Sequence, residues 1–355
     1  MSSMSYPLIS WFKDVGIDDR PSVGGKGASL GELTRAGIRV PTGFVVTTAA
    51  FERYLEETDK QGAIRSTIEQ LAAGDVTAIT EASKTLRQRI TETPMPVDLQ
   101  EAIIASYREL CGSRTDVPVA VRSSATSEDS AEASFAGLQD TYLWIRGEQE
   151  VVHFVLSCWA SLYSSESISY RLRFKLPEQQ LAMGVVIQEM VNSLCSGVMF
   201  TRSPTTGDKS VITLEGSWGL GSSIVSGEVT PDRYVINKVT GEIMDRVVAT
   251  KLVQHTPSTK GGTIEEEVSP EKQNIPCLFD EQIIELVQIA KRVEQHYDCP
   301  QDIEWAISRD DQSTDGTYLL QSRPETVWAT KEVKPVAAPK SRAYDHIFSV
   351  LGGRK

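Results

Sequence analysis

An α+β fold of two subdomains is predicted by a change of periodicity along the chain, by a late amphipathic helix that feeds two strands, and by length. The 355 residues exceed what one hydrophobic core usually organises. From Lys26 to about Gly112 apolar residues recur at helical spacing over 26–36, 48–59, 76–91 and 97–110, the last two segments separated by Pro94 and Pro96. Strands are scarce in this part. From Val117 the texture changes to short β-branched runs at 117–124, 141–145, 185–191, 197–202 and 211–216, set apart by Gly/Ser turns and by one helical segment at about 149–163. Between Asp280 and His296 the apolar positions Ile283, Leu286, Val287, Ala290 and Val293 trace one helix face, and two final strands follow. The expected layout is a first subdomain over residues 1–190, a second over 191–328, and a proline-containing basic tail or docking arm over 329–355.

Composition narrows the function classes. Charged residues make up 24% and hydrophobic residues 40% of the chain, a balance that supports a packed core rather than disorder. Lys plus Arg number 36 against 48 Asp plus Glu, and the net charge of -12 sets most of the surface against a phosphate backbone or an anionic bilayer. No nucleic acid and no membrane partner is expected, whereas a local basic pocket for one small anion is compatible with that average. Cys111, Cys158, Cys195, Cys277 and Cys299 form neither a CxxC pair nor a Cys/His cluster, so neither a zinc site nor a disulfide scaffold is indicated. With no apolar run long enough to span a membrane and no export-signal layout in MSSMSYPLISWFKD, the expected location is cytoplasmic.

Five segments can carry chemistry. In VGGKGASLGEL at 23–33, glycines surround Lys26 and a helix begins at once, so backbone N–H groups, helix dipole and lysine can meet a phosphate. It is not a Walker A loop, and a flexible turn before a helix reads equally well. In VAVRSSATSEDSAEASFAGLQDTY at 119–142, an apolar strand delivers Arg122 at its end, and small residues follow, with Phe135 as a closing plug over a nucleotide. An ordinary surface loop after an edge strand is the alternative there.

The third segment rests on strand alternation. DIEWAIS at 302–308 puts Ile303, Trp305 and Ile307 on one face and Asp302, Glu304 and Ala306 on the other. TYLLQSRPET at 317–326 sends Leu319, Gln321 and Arg323 to a common side, and a hairpin would bring Glu304, Gln321 and Arg323 together. A carboxylate and a carboxamide suit Mg²⁺, and the arginine neutralises charge on a transferring group; a solvated polar face is the alternative. The fourth, EGSWGLGSSIVSGEVTPDRY at 215–234, offers glycines with Glu215, Glu228 and Asp232 as a phosphate-facing wall, or a connection with Trp218 in the core. In VVIQEMV at 185–191, Gln188 and Glu189 interrupt an apolar strand and offer an exposed edge to a base.

Together these segments resemble the nucleotide-binding domain of the phosphoenolpyruvate synthase and pyruvate phosphate dikinase family, over about residues 8–328 and in the family's order: VGGKGASLGEL with GIRVPTGFVVTTAAF, AVRSSATSED with ASFAGLQDTYL, SGVMFTR, WGLG with TPDRY, and DIEWA with LLQSRPET. The resemblance implies an ATP-grasp-like fold with ATP and Mg²⁺ between two subdomains. It implies Lys26 and Arg122 as phosphate ligands, Gly137 and Thr141 in a nucleotide-covering loop, Gln188, with its neighbour Glu189, on the strand that meets the adenine, Glu304 and Gln321 as metal ligands and Arg323 as the phosphate-stabilising arginine. In the family, ATP is split to AMP and phosphate, and the β-phosphoryl is relayed on a histidine of a separate swivelling domain.

One departure from the family accompanies the match. His153, His255, His296 and His346 are the chain's histidines, and none follows a Gly/Thr-rich loop. His153 falls on a helix as a core or interface residue, and the others read as surface. The expectation is the ATP-binding subunit of a two-component dikinase, beginning with its own Met1 and docking through its tail onto a phosphohistidine-bearing subunit that serves a small acceptor. Phenylphosphate synthase, which phosphorylates phenol, is a family member so divided. The alternatives are the nucleotide domain of a phosphoenolpyruvate synthase acting on pyruvate, and a non-catalytic ATP-binding regulatory module.

Overall fold

Two apolar clusters, each gathered on an antiparallel sheet, account for most of the buried hydrophobic residues in a computed structural model that describes residues 7–126, 129–130, 133–134, 140–176, 181–310, 316–326 and 328. The first part of the chain forms β1 (Ile9–Trp11), α1 (Arg20–Arg35), β2 (Gly43–Val46), α2 (Thr48–Thr58), α3 (Ala63–Glu69), α4 (Val76–Glu92) and α5 (Val97–Cys111). There follow β3 (Val119–Ala125), the short β4 (Asp129–Ser130) and β5 (Ala133–Ser134), β6 (Thr141–Ile145), α6 (Glu148–Ser161), α7 (Ser165–Phe174) and β7 (Met183–Glu189). The remainder comprises β8 (Ser193–Phe200), β9 (Val211–Trp218), α8 (Ser222–Val225), β10 (Asp232–Asn237), β11 (Ile243–Val247), β12 (Val253–Pro257), β13 (Thr263–Glu267), α9 (Pro270–Gln273), α10 (Asp280–Tyr297), β14 (Gln301–Ser308) and β15 (Thr317–Pro324).

The first sheet runs β1-β2-β7-β3-β6 and the second β11-β10-β9-β8-β14-β15, so the chain passes from one to the other between Glu189 and Ser193. The mixed helix and strand content is the predicted α+β class, and two sheets facing a common cleft are an ATP-grasp-like arrangement. Phe51, Tyr54 and Trp159 from α2 and α6 pack as an aromatic group in the first cluster. Trp305, fully buried on β14, lies in the second beside Leu286 and Ala290 of α10. The predicted helices and the 280–296 amphipathic face match to within a few residues at their ends, because the apolar stripe that reads as periodic is the stripe that is buried. Strand β2, which the helix-rich reading of 26–112 does not contain, is four residues long and wholly buried, too short to show alternation. All five cysteines are free thiols, as expected.

Helix α1 joins the two halves. Ala28 and Leu30 pack with Val45 and Val186 of the first sheet, Leu33 belongs to the second cluster, and Ser29 Oγ donates to Ser322 O of β15 at 2.6 Å. The helix is broken at Gly24, whose φ of 72° and ψ of 177° are open only to glycine. The break lets the chain touch β3: a Cβ on Gly24 would stand 2.0 Å from Ser124 O, and Ser124 Oγ donates to Val23 O and accepts from Gly27 N–H at 3.1 Å.

Three expectations are corrected by pairing. Arg122 lies in mid-strand rather than at the end of β3: Ser123 and Ser124, which the expected 117–124 run includes, and Ala125 continue the strand against Val185, Gly184 and Met183. Neither β3 nor β7 is an edge: β7 is the central strand, so Gln188 is buried rather than exposed. In the last hairpin a β-bulge opposes Glu304 to Gln321 but Trp305 to Leu319, leaving Leu320 as the extra residue. Leu319 therefore enters the core, while Gln321 and Arg323 stay opposite Glu304 and Asp302 on the polar face.

Asp232 is structural. Its carboxylate and the Lys251 ammonium form a fully buried pair at 2.6 Å, and it also accepts from the N–H groups of Ala249 and Cys277. No described helix is long and apolar enough to cross a membrane. Replacing Gly24 by Ala combines a forbidden backbone conformation with a backbone clash, so Gly24→Ala is expected to lower the unfolding free energy by about 2 kcal/mol or more, measured by denaturant titration.

Candidate functional site

Where the two sheets meet, a cavity of about 360 Å³ opens between β3, β6 and β7 on one side and β8, α8 and β14 on the other. Arg122 is among its lining residues. The side chain projects from mid-strand β3 on the face that β7 shares, and only 8% of the residue is exposed. One guanidinium nitrogen, Nη2, donates to Gln321 Oε1 and, at 3.3 Å, to Glu304 Oε2; the other, Nη1, donates to Leu320 O at 3.1 Å and Gln188 Oε1 at 3.4 Å. One arginine of the first sheet is thus held by three acceptors of the second, Glu304 on β14 and, at the β15 bulge, the Leu320 carbonyl and Gln321.

Of the residues singled out in the sequence, Arg122, Thr141, Gln188, Glu189 and Glu304 line this cavity. Gln321 reaches it through Arg122. Arg323 lies one rung along the hairpin, where it makes a two-nitrogen pair with Asp302 at 2.7 and 2.8 Å rather than joining Glu304. Burial pushes the Asp302 carboxyl above the ordinary aspartate value; Arg323 opposes the shift, and Glu304 and Glu325 add to it. Glu189 lines the cavity, yet its carboxylate is held by Arg114 beyond the end of α5. Lys26 sits in the first turn after the Gly24 break, close enough to bias the buried Cys158 thiol, and is not among the cavity-lining residues. The Gly27 N–H expected to face an anion is used by Ser124. Gly137 and Phe135, the rest of the covering loop, and the 329–355 tail with His346 lie outside the described residues.

Met190 and Val191, in the link between the sheets, also line the cavity, as do Leu143 and Leu220. Sequence reasoning passed over these because an apolar residue facing a ligand has the same spacing as one facing the core. The Gly-rich 215–234 segment does supply a wall, through Leu220, Gly221, Ser222, Val225 and Ser226. Its acidic residues are elsewhere: Asp232 is in the core, Glu228 pairs with His255, and Glu215 is not a lining residue. Trp218 is buried under the Lys272 ammonium, as the alternative had it. His153 is an exposed residue of α6, not a core one.

The donor set is suited to an anion. Arg122 Nε and Gln188 Nε2, on two residues that line the cavity, are buried and without hydrogen-bond partners. Beside them, one carboxylate and one carboxamide oxygen, already converging on a cation, form the oxygen-only set that a hard divalent ion takes. An apolar cavity with a few convergent polar groups is a small-molecule site in class.

Comparison with known proteins names the class. The family described as pyruvate phosphate dikinase, AMP/ATP-binding domain, matches residues 20–343, and the chain belongs to that family. It is 44% identical over 330 residues to a probable phosphoenolpyruvate synthase of Methanothermobacter thermautotrophicus, covering 92% of this chain and 47% of that one. It is 40% identical over 364 residues to the phosphoenolpyruvate synthase of Aeropyrum pernix, covering 95% and 44%. A rifampicin phosphotransferase of Streptomyces is 41% identical over 324 residues, covering 91% and 36%. The chain spans less than half the length of these relatives, and what is shown is the AMP/ATP-binding domain of that family.

Because Arg122 ties the sheets through groups to which it is the charged donor, Arg122→Met is expected to cost about 2 kcal/mol of unfolding free energy in the nucleotide-free protein. Thermal unfolding of the variant beside wild type checks this, and an unchanged midpoint would show the tie to be inert.

Proposed function

We propose that the chain is the ATP-binding component of a dikinase that cleaves ATP to AMP and phosphate and passes the β-phosphoryl to a histidine outside these residues. The observation that carries this reading is the meeting of Arg122, Gln188, Glu304 and Gln321 across the cleft. In this reading Gln188 and the main chain of 189–191 hold the base, and Lys26 and Arg122 hold phosphate oxygens. Glu304 and Gln321 hold Mg²⁺, which would neutralise charge on the phosphates. Arg122 then exchanges its present carboxylate and carboxamide partners for phosphate oxygens, which frees both protein oxygens for the metal. Arg323 stabilises the transferring group, being held in an extended position by Asp302. Water is kept out by the apolar wall of Leu143, Val191, Leu220 and Val225.

A histidine supplied from outside fits the three described ones: His153 is exposed on α6, His255 pairs with Glu228 and His296 with Glu32. In the arrangement favoured by the sequence, the acceptor belongs to a second polypeptide and the final acceptor is a small molecule such as phenol, as in phenylphosphate synthase. A second arrangement is supported by the relatives named phosphoenolpyruvate synthase, in which the histidine domain follows on the same protein and pyruvate is the acceptor. Both place the same chemistry in this cleft.

Phosphoryl transfer depends on positioning and charge neutralisation, so loss of one such group costs on the order of 10²-fold or more. Glu304→Ala and Arg323→Ala are each expected to lower AMP formation by about that factor, with the circular dichroism spectrum unchanged. The assay mixes the purified chain, MgATP and a separately purified phosphohistidine domain, and follows AMP and phosphohistidine together. Wild-type rates in both variants would remove these residues from the mechanism. MgATP binding without any AMP release that depends on the histidine domain would favour a regulatory module.

A further inference from the structure

Outside the cleft, a second group of metal-type ligands stands behind its α8 wall. Glu228 in the turn after α8, His255 on β12 and Glu265 on β13 bring one ligand atom each to within 4.8 Å of one another. The placement comes from pairing. His255 and Glu265 are direct cross-strand partners in the β12–β13 hairpin, and Leu220 N–H donates to His255 O at 2.9 Å, which docks the hairpin on the segment leading into α8.

Two features distinguish this group from a plain His–Glu pair. The imidazole is fixed at both nitrogens: Nδ1 lies 2.7 Å from Ser222 Oγ, and Nε2 lies 2.7 Å from Glu228 Oε2. A metal-ligating histidine has this arrangement, one nitrogen anchored by a second polar group and the other turned to the ion. The second feature is electrostatic. One imidazole N–H satisfies one carboxylate, yet two converge here, and among the described residues neither Glu228 nor Glu265 has a lysine or arginine partner. Like charges opposed without compensation are unfavourable, and a divalent cation is the compensation that the geometry lacks.

We propose that Glu228, His255 and Glu265 form a binding site for a divalent transition-metal ion such as Zn²⁺, separate from the Glu304–Gln321 pair. The imidazole nitrogen selects a borderline ion over Mg²⁺ or Ca²⁺, and two carboxylates complete three protein ligands with a fourth position open to water. Proton bookkeeping is simple. In the occupied site the ring carries its N–H on Nδ1, which donates to Ser222 Oγ, and Nε2 offers its lone pair to the ion. Because Ser222 also lines the nucleotide cavity, the occupied site would fasten the hairpin to the cavity wall. The inference stands on these residues alone and does not depend on the reaction proposed above.

The test is calorimetric titration of the whole chain with Zn²⁺, without nucleotide, supported by Co²⁺ absorption. The expected result is one equivalent bound, with affinity lowered at least about 10-fold to 100-fold in His255→Gln and in Glu265→Gln, and about 10-fold in Ser222→Ala. His296→Gln, which breaks the other His–Glu contact, is expected to leave that affinity unchanged. Zn²⁺ should also raise the thermal midpoint of wild type and not of Glu265→Gln, an exposed strand substitution that keeps the test valid if the His255 variant unfolds. Equal Zn²⁺ affinity in wild type and Glu265→Gln, or no Zn²⁺ bound by wild type, would overturn the proposal.

Discussion

The contact on which the cleft depends is the Arg122 guanidinium, carried by the first sheet and gripped by the second. Glu304, Gln321 and the Leu320 carbonyl all accept from it, so one side chain sets the distance between the two walls. A planar fork with several donors can do this where an ammonium would satisfy fewer partners. The same side chain is the group that a phosphate would attract, so binding and closure draw on one charge. Burial makes this consequential. At 8% exposed, with Nε unpaired, the guanidinium is not fully served by its protein partners.

Around that contact the fold uses glycine, small residues and one irregularity rather than strong local propensity. The Gly24 break lets α1 press against Ser124, which holds β3 in line and hence Arg122 in place. The same helix bonds to β15 through Ser29 and Ser322, so the strand that carries Gln321 and the strand that carries Arg122 share a support. The bulge at Leu320 then reconciles two demands on β15: Leu319 fills the core beneath α10, and Gln321 and Arg323 keep to the polar face. A strict alternation would have sent one set to the wrong side.

Membership in the pyruvate phosphate dikinase AMP/ATP-binding family gives this geometry a setting, since its relatives are phosphotransferases more than twice as long as the matched region. An acidic surface and a small interior basic centre are consistent demands: the first leaves long-range attraction weak, and the second concentrates positive charge where the proposed reading puts the phosphates. The His255 group lies behind the opposite wall and touches the cavity only through Ser222.

The change from helical to β texture, the amphipathic helix before the last hairpin, and the chemical identity of Arg122, Gln188, Glu304, Gln321 and Arg323 were legible in the order of residues, because periodicity and residue type are local properties. Strand neighbours are not local. That β7 is central, and that Arg323 meets Asp302 while Arg122 meets Glu304 and Gln321, are outcomes of pairing between segments up to 199 residues apart. The apolar lining at Met190, Val191 and Leu220 was hidden for a related reason: a side chain facing a ligand and one facing the core carry the same sequence signal. Sequence alone determined which groups were on hand; tertiary structure decided which of them meet, since burial and charge act between residues that only the folded chain brings together.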